Sequence, residues 1–206
     1  MPSALGEALR QRDRELWLAT LYAPAPVREA LIALFALDST LAAIPPSVSE
    51  PMIGAIRLAW WREALEALDH SAAPDEPHLV AAKALLLPAG LTGADLAGLE
   101  ARWAARLDAE LTEAESTAAE AAGGARLFTL AARLLSADPT PAAQLGRVWA
   151  IGAELPSQLP KALRPLLALA CLGQRDAADM AAGRPRSPRA TAGRQLRMLR
   201  AIATGR

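Results

Sequence analysis

Between Pro26 and Pro45 the apolar side chains Val27, Leu31, Leu34, Phe35 and Leu41 return at the spacing of one helical face, and a single acid, Asp38, falls on that face with them. A carboxylate on an apolar stripe is costly unless a cation or hydrogen bonds satisfy it, so this helix requires a polar partner in its surroundings. The remaining sequence is also helical in character. Ala and Leu dominate, whereas Tyr occurs once and Phe twice, so helix formers abound and strand-favouring aromatics are scarce. With 206 residues, 52% hydrophobic and 21% charged, the chain can bury a sizeable core. The expectation is an all-α chain forming a single domain over 1–206.

Proline punctuates the helices. Pro24 and Pro26 open the first clear one, and Pro45-Pro46 closes it. Ser47-Val48-Ser49-Glu50-Pro51 offers hydroxyl caps and a first-turn proline to a helix running to about Asp69. A polar loop over 70–77 leads to a short apolar helix near 79–87. Thr92, with Asp95 three residues on, then predicts an N-terminus for a long helix reaching Ala122. Gly123-Gly124 is expected to break or kink that helix and to admit a neighbouring backbone. Further helices are predicted near 125–136, 140–155 and 160–172. In the final stretch, Arg189 to Thr204, arginines alternate with Leu196, Met198, Leu199 and Ile202, an amphipathic pattern.

Charge is balanced overall but not along the chain. The C-terminal segment 183–206 takes seven of the 22 basic residues and no acid, leaving 15 basic against 22 acidic residues elsewhere, a net charge of −7. Such a basic amphipathic helix suits an anionic membrane surface or an acidic protein, or equally a packed C-terminal helix with a solvated basic face, while the acidic body argues against nucleic acid. Cys171, the only cysteine, lies in an apolar run and reads as a buried structural thiol. The charged N-terminus is unlike a signal peptide, and no window approaches the about 18 apolar residues of a membrane span. The expected location is cytoplasmic, with peripheral contact at the inner membrane surface as the one membrane option.

Residues able to do chemistry are few. No two of the 22 acids are separated by four positions, the spacing that places two carboxylates on one helical face. Pairs at spacing three, such as Glu63 with Glu66 and Asp176 with Asp179, read as solvated faces. His70 and His78 flank the proline-rich loop, lack partners at metal-ligand spacing, and read as surface residues. Phosphate-cradling glycine loops and a Gly-x-Ser-x-Gly elbow are absent.

The segments 12–24, 33–38 and 48–65 resemble the squalene/phytoene synthase family, most closely its atypical branch, which includes mitochondrial complex I assembly factors. The most specific stretch is 49–62, where Gly54 and Arg57 precede the paired indoles of Trp60 and Trp61. The resemblance continues through 113–135, 146–156 and 194–206. It implies an isoprenoid-synthase-like helical bundle around a central cavity. In that family, two aspartate-rich motifs hold magnesium ions that grip a diphosphate leaving group.

At the first such position this chain reads Asp38-Ser39-Thr40-Leu41-Ala42-Ala43-Ile44, and the second, over 144–156, contains only Glu154 as an acid. No catalytic residue and no metal ligand are assigned. Arg28, Asp38, Arg57, Trp60 and Trp61 are the candidate cavity or headgroup residues, with Arg28 and Arg57 either holding an anionic headgroup or pairing with Asp38. One indole is expected in the core and the other near the surface. The first functional expectation is a non-catalytic assembly or binding factor without a cofactor, partnered by respiratory complex subunits or another protein. The alternatives are an active prenyl-diphosphate transferase using magnesium, and an isoprenoid or lipid carrier.

Overall fold

The computed structural model describes residues 3–156, 158–185, 188–189 and 191–205, so Arg186, Ser187 and Arg206 of the basic C-terminal segment lie outside the described residues. Among the described residues the fold is all-α, without strands, and no helix is long and apolar enough to cross a membrane. Helix α1, Ala4–Arg12, begins at Ser3, whose hydroxyl accepts the Gly6 N–H at 3.1 Å. Asp13 joins it to α2, Arg14–Leu21: its backbone N–H returns to Leu9 while its carboxylate accepts the N–H groups of Glu15 and Leu16. One residue thus serves the ends of two helices.

Helix α3, Ala25–Ala42, is the central one. Leu31, Leu34, Phe35 and Leu41 are fully buried on it, as the periodicity predicts, Val27 is partly buried, Leu37 outside that pattern is buried too, and both α1 and α2 pack against the helix. Helix α4, Pro51–Ala67, begins at its first-turn proline, but the expected serine cap is not used. Ser47 belongs instead to a short 3-10 turn, Pro45–Ser47, and donates its hydroxyl to the Ile44 carbonyl at 2.8 Å. After the polar loop, α5, Pro77–Ala81, passes into a π-helical turn, Ala82–Leu86, where the short apolar helix is expected.

The next stretch departs from expectation. Thr92 and Asp95 do form a capping box at the start of α6, Gly93–Ala97, and Asp69 reinforces it by accepting the N–H groups of Gly93 and Ala94 at 2.7 and 3.2 Å. The helix stops there. A second short helix, α7, Ala101–Ala105, follows, and α8, Glu113–Leu134, starts afresh from a second capping box made by Thr112 and Glu115. Helix α8 then runs unbroken through Gly123-Gly124.

Those glycines provide space, not a break. A Cβ on Gly124 would lie 2.4 Å from the carbonyl oxygen of Gly146 on α9, Pro139–Ile151, and a Cβ on Gly146 would lie 2.1 Å from that of Gly124. The two backbones therefore cross in direct contact. Helix α9 ends at Gly152, whose φ of +74° is the left-handed cap that glycine tolerates. Helix α10, Arg164–Ala181, extends past the expected end at Leu172 and meets α9 at Gly173, where a Cβ would lie 2.2 Å from the Trp149 carbonyl oxygen. Cys171 on α10 is half-buried rather than fully enclosed, and burial pushes its thiol up. Helix α11, Ala192–Thr204, packs along α10 and realises the predicted amphipathic segment.

The crossing makes a mutational prediction. Gly124→Ala and Gly146→Ala should each lower stability by about 1–3 kcal/mol in urea unfolding, because each adds a methyl where backbone already sits. Gly193→Ala, where a Cβ meets nothing within 4 Å, should leave stability unchanged or slightly higher.

Candidate functional site

Asp38 is carried into the interior by the apolar face of α3 and is only 2% exposed. Two adjacent residues of α7 satisfy it. The guanidinium of Arg102, 3% exposed, donates through Nη2 to Asp38 Oδ2, and the Trp103 indole donates through Nε1 to Oδ1 at 3.2 Å. Burial pushes the Asp38 carboxyl above its ordinary value, against the opposing pull of Arg102 and Trp103. Both carboxylate oxygens are engaged by the protein itself.

The guanidinium is also enclosed by aromatic rings. Its carbon lies 4.1 Å from the ring centroid of Trp103 and 5.2 Å from that of Trp149, distances at which a cation is attracted to the ring face. Phe128 stacks on Trp149 with centroids 5.3 Å apart, fixing that ring. The stem of Arg102 runs over Gly123, where a Cβ would lie 2.1 Å from Arg102 Cδ. Gly123 therefore makes room for the side chain that neutralises Asp38. Arg102 Nε is buried without a hydrogen-bond partner.

This cluster forms part of the wall of an open cavity of about 890 Å³ lined by α2, α3, α7, α8, α9 and α10 and by the C-terminal segment. Five acids line it, each facing an arginine. Asp38 meets Arg102, Glu120 meets Arg106, and Asp13 meets Arg189 at 2.5 Å. Arg194 binds Glu15 at 2.5 and 2.9 Å and Asp176 at 2.5 and 3.1 Å. Donation to the Glu15 carboxylate raises the Arg194 pKa most, with donation to Asp176 adding to it against the effect of burial. No group of three His, Cys, Asp or Glu side chains is placed to hold a metal ion among the described residues.

The residues singled out from the sequence are dispersed. Only Asp38 lines the cavity, and its cation is Arg102 rather than Arg28 or Arg57. Arg28 donates to the carbonyls of Leu21 and Ala23 at the end of α2, at 3.1 and 3.2 Å, while Arg57 donates to the Ser47 hydroxyl at 3.1 Å. Trp61 is 8% exposed and in the core, whereas Trp60 is 48% exposed, and the two rings meet edge to face at 5.3 Å. The segment 144–156 contributes Trp149, Ala150 and Ile151 to the cavity wall, and no carboxylate.

Two readings of polar residues need correction. Asp176 and Asp179 are not a solvated face: Asp176 binds Arg194, and buried Asp179 binds Arg175 and Arg184 at 2.9 and 2.7 Å. His70 is exposed as expected, whereas His78 is half-buried, held between Glu76 and Thr40 at 2.8 and 3.0 Å with its ring against Trp61. Arg102, Trp103, Trp149, Glu15 and Arg194 were missed. A visible signal existed for the first two: Arg102-Trp103 places a cation and an indole N–H side by side in an Ala-rich helix, the groups that a lone buried carboxylate requires.

Comparison with known proteins gives a partial match. Residues 9–99 match the family described as squalene/phytoene synthase. Complex I assembly factor 6 of Rattus norvegicus is 39% identical over 71 residues, and the same factor of Homo sapiens is 38% identical over 71 residues. Each alignment covers 34% of this chain and 21% of the relative, so the chain matches about a fifth of those proteins' length. No solved structure matches.

Removing either member of the buried pair strands a charge. Asp38→Ala and Arg102→Met should each lower stability by about 3–5 kcal/mol, measured by urea unfolding. Arg57→Met, at an exposed hydrogen bond, should cost less than about 1 kcal/mol by the same measurement.

Proposed function

Because residues 9–99 carry the squalene/phytoene synthase family signature and the same chain resembles complex I assembly factor 6, we propose that this protein is a non-catalytic assembly or binding factor that serves respiratory complex I. The observation that carries the reading is the Arg102 guanidinium against Asp38. In the synthases that the chain resembles, carboxylates on facing helices hold divalent cations for a diphosphate. The donor set here does not fit such ions, because Asp38 already has a cation and an indole N–H on its two oxygens. The other acids on the cavity wall also face guanidinium groups, and no acid pair has the four-residue spacing.

A bundle of this kind keeps its shape without metal. The arginine–carboxylate pairs join α7 to α3, α7 to α8, and the C-terminal segment to α2 and α10, so the walls are tied across the hollow. That suits a rigid body that presents outer surfaces to partners. The hollow itself favours one second reading: Leu16, Leu169, Leu172 and Met180 give it an apolar side able to receive an isoprenoid or other lipid chain.

Two measurements on the native protein test these readings. Incubation with farnesyl or geranylgeranyl diphosphate and Mg²⁺ should yield no condensed product, and appearance of a head-to-head C30 or C40 hydrocarbon would overturn the non-catalytic reading. Deletion of the gene in the source organism should reduce fully assembled complex I on native gels, with recovery on re-expression. Unchanged complex I would overturn the assembly role, and an apolar ligand extracted from purified protein would then favour the carrier.

A further inference from the structure

Two outward faces expose large apolar side chains, and their charges distinguish them. On α4 the stripe of Met52, Ile56 and Trp60 is flanked by exposed charges of both signs, Glu63 and Glu66 with Arg57 and Arg62. On α11 the stripe is Leu196 and Leu199, 68% and 46% exposed, and the helix contains no acid at all. Met198 and Ala201 on the opposite side are buried and hold α11 to α10.

The arginines of the C-terminal segment divide into two sets. Arg194 is buried against Glu15 and Asp176, while Arg184 and Arg189, themselves exposed, pair with Asp179 and Asp13. Arg197 and Arg200 remain exposed, and no carboxylate lies within ion-pair distance of either among the described residues. Arg164 of α10 adds a third guanidinium at the far end of α11, donating to the Ala203 carbonyl at 3.5 Å. By helical geometry Leu196, Leu199 and Ala203 form one strip, with Arg200 and Arg197 beside it.

We propose that the outward face of α11, Leu196 and Leu199 beside Arg197, Arg200 and Arg164, docks on an anionic lipid surface. A helix lying in the plane of the interface places its leucines at the acyl boundary and its guanidinium groups among lipid phosphates. The buried side of the helix orients it: Arg194 and Met198 fix which side of α11 faces out. Nucleic acid would engage the same arginines but leave both leucines in water, and the acidic remainder of the chain would repel it. The α4 stripe, where Glu63 and Glu66 offset Arg57 and Arg62, carries no excess of positive charge for the same surface.

Co-sedimentation of the full chain with vesicles tests the proposal. Binding is expected to vesicles of phosphatidylcholine mixed with phosphatidylglycerol, to be weak on phosphatidylcholine alone, and to fall as salt rises. The Arg197→Glu/Arg200→Glu variant should lose at least about fivefold in partitioning for each arginine changed. Leu196→Ser/Leu199→Ser should also reduce binding although its charge is unaltered, and Met52→Ser/Ile56→Ser on α4 should bind like the parent. All six positions are exposed, and circular dichroism verifies that each variant remains folded. Equal binding to both vesicle types, undiminished binding by either α11 variant, or loss through the α4 variant would overturn the proposal. So would binding to duplex DNA or RNA that depends on the arginines and not on the leucines.

Discussion

The contact between Asp38 and Arg102 sets the terms for the rest of the molecule. A carboxylate in the middle of the most buried helix has lost its water, and the interior supplies a guanidinium, an indole N–H and two aromatic faces in its place. Each of those groups imposes a further requirement. Arg102 must reach across α8, which requires a missing side chain at Gly123, and the Trp149 ring must be held in place, which Phe128 achieves by stacking. One acid on α3 thereby constrains α7, α8 and α9. Such pairs favour a unique arrangement more than they add net stability, since burying both charges offsets much of their attraction.

The same chemistry recurs around the cavity and connects remote parts of the chain. Arg194 bridges Glu15 near the N-terminus and Asp176 on α10, and Arg189 reaches Asp13, the residue that caps both α1 and α2. Close helix crossings at Gly124, Gly146 and Gly173 bring the backbones near enough for these side chains to span the hollow. A concave interior lined by already-paired charges is a poor host for divalent cations, yet it retains an apolar side.

Much of the helical scaffold was legible because the signals were local. Proline boundaries, the α3 periodicity and the Thr92–Asp95 cap each depend on residues a few positions apart. The start of α8 was equally readable in Thr112 and Glu115, and giving Gly123-Gly124 the role of a breaker obscured it. Glycine's helix cost is real, but the backbone contact with α9 outweighs it, and that contact joins residues 22 positions apart in sequence. The candidate site was less legible for the same reason. That Asp38 requires a cation follows from its register, whereas the choice of Arg102 over Arg28 or Arg57 spans 64 residues and depends on tertiary packing. The basic C-terminal segment likewise looks uniform in sequence, and only its partners separate the ion-paired arginines from the others.

A double-mutant cycle between Asp38→Asn and Arg102→Met, read by urea unfolding, bears most directly on whether the carboxylate is neutralised from within. The account predicts a coupling energy of about 2 kcal/mol or more, with the double variant much less destabilised than the sum of the single ones. Additivity within about 0.5 kcal/mol, together with stabilisation of the parent protein by Mg²⁺ that Asp38→Asn abolishes, would contradict it.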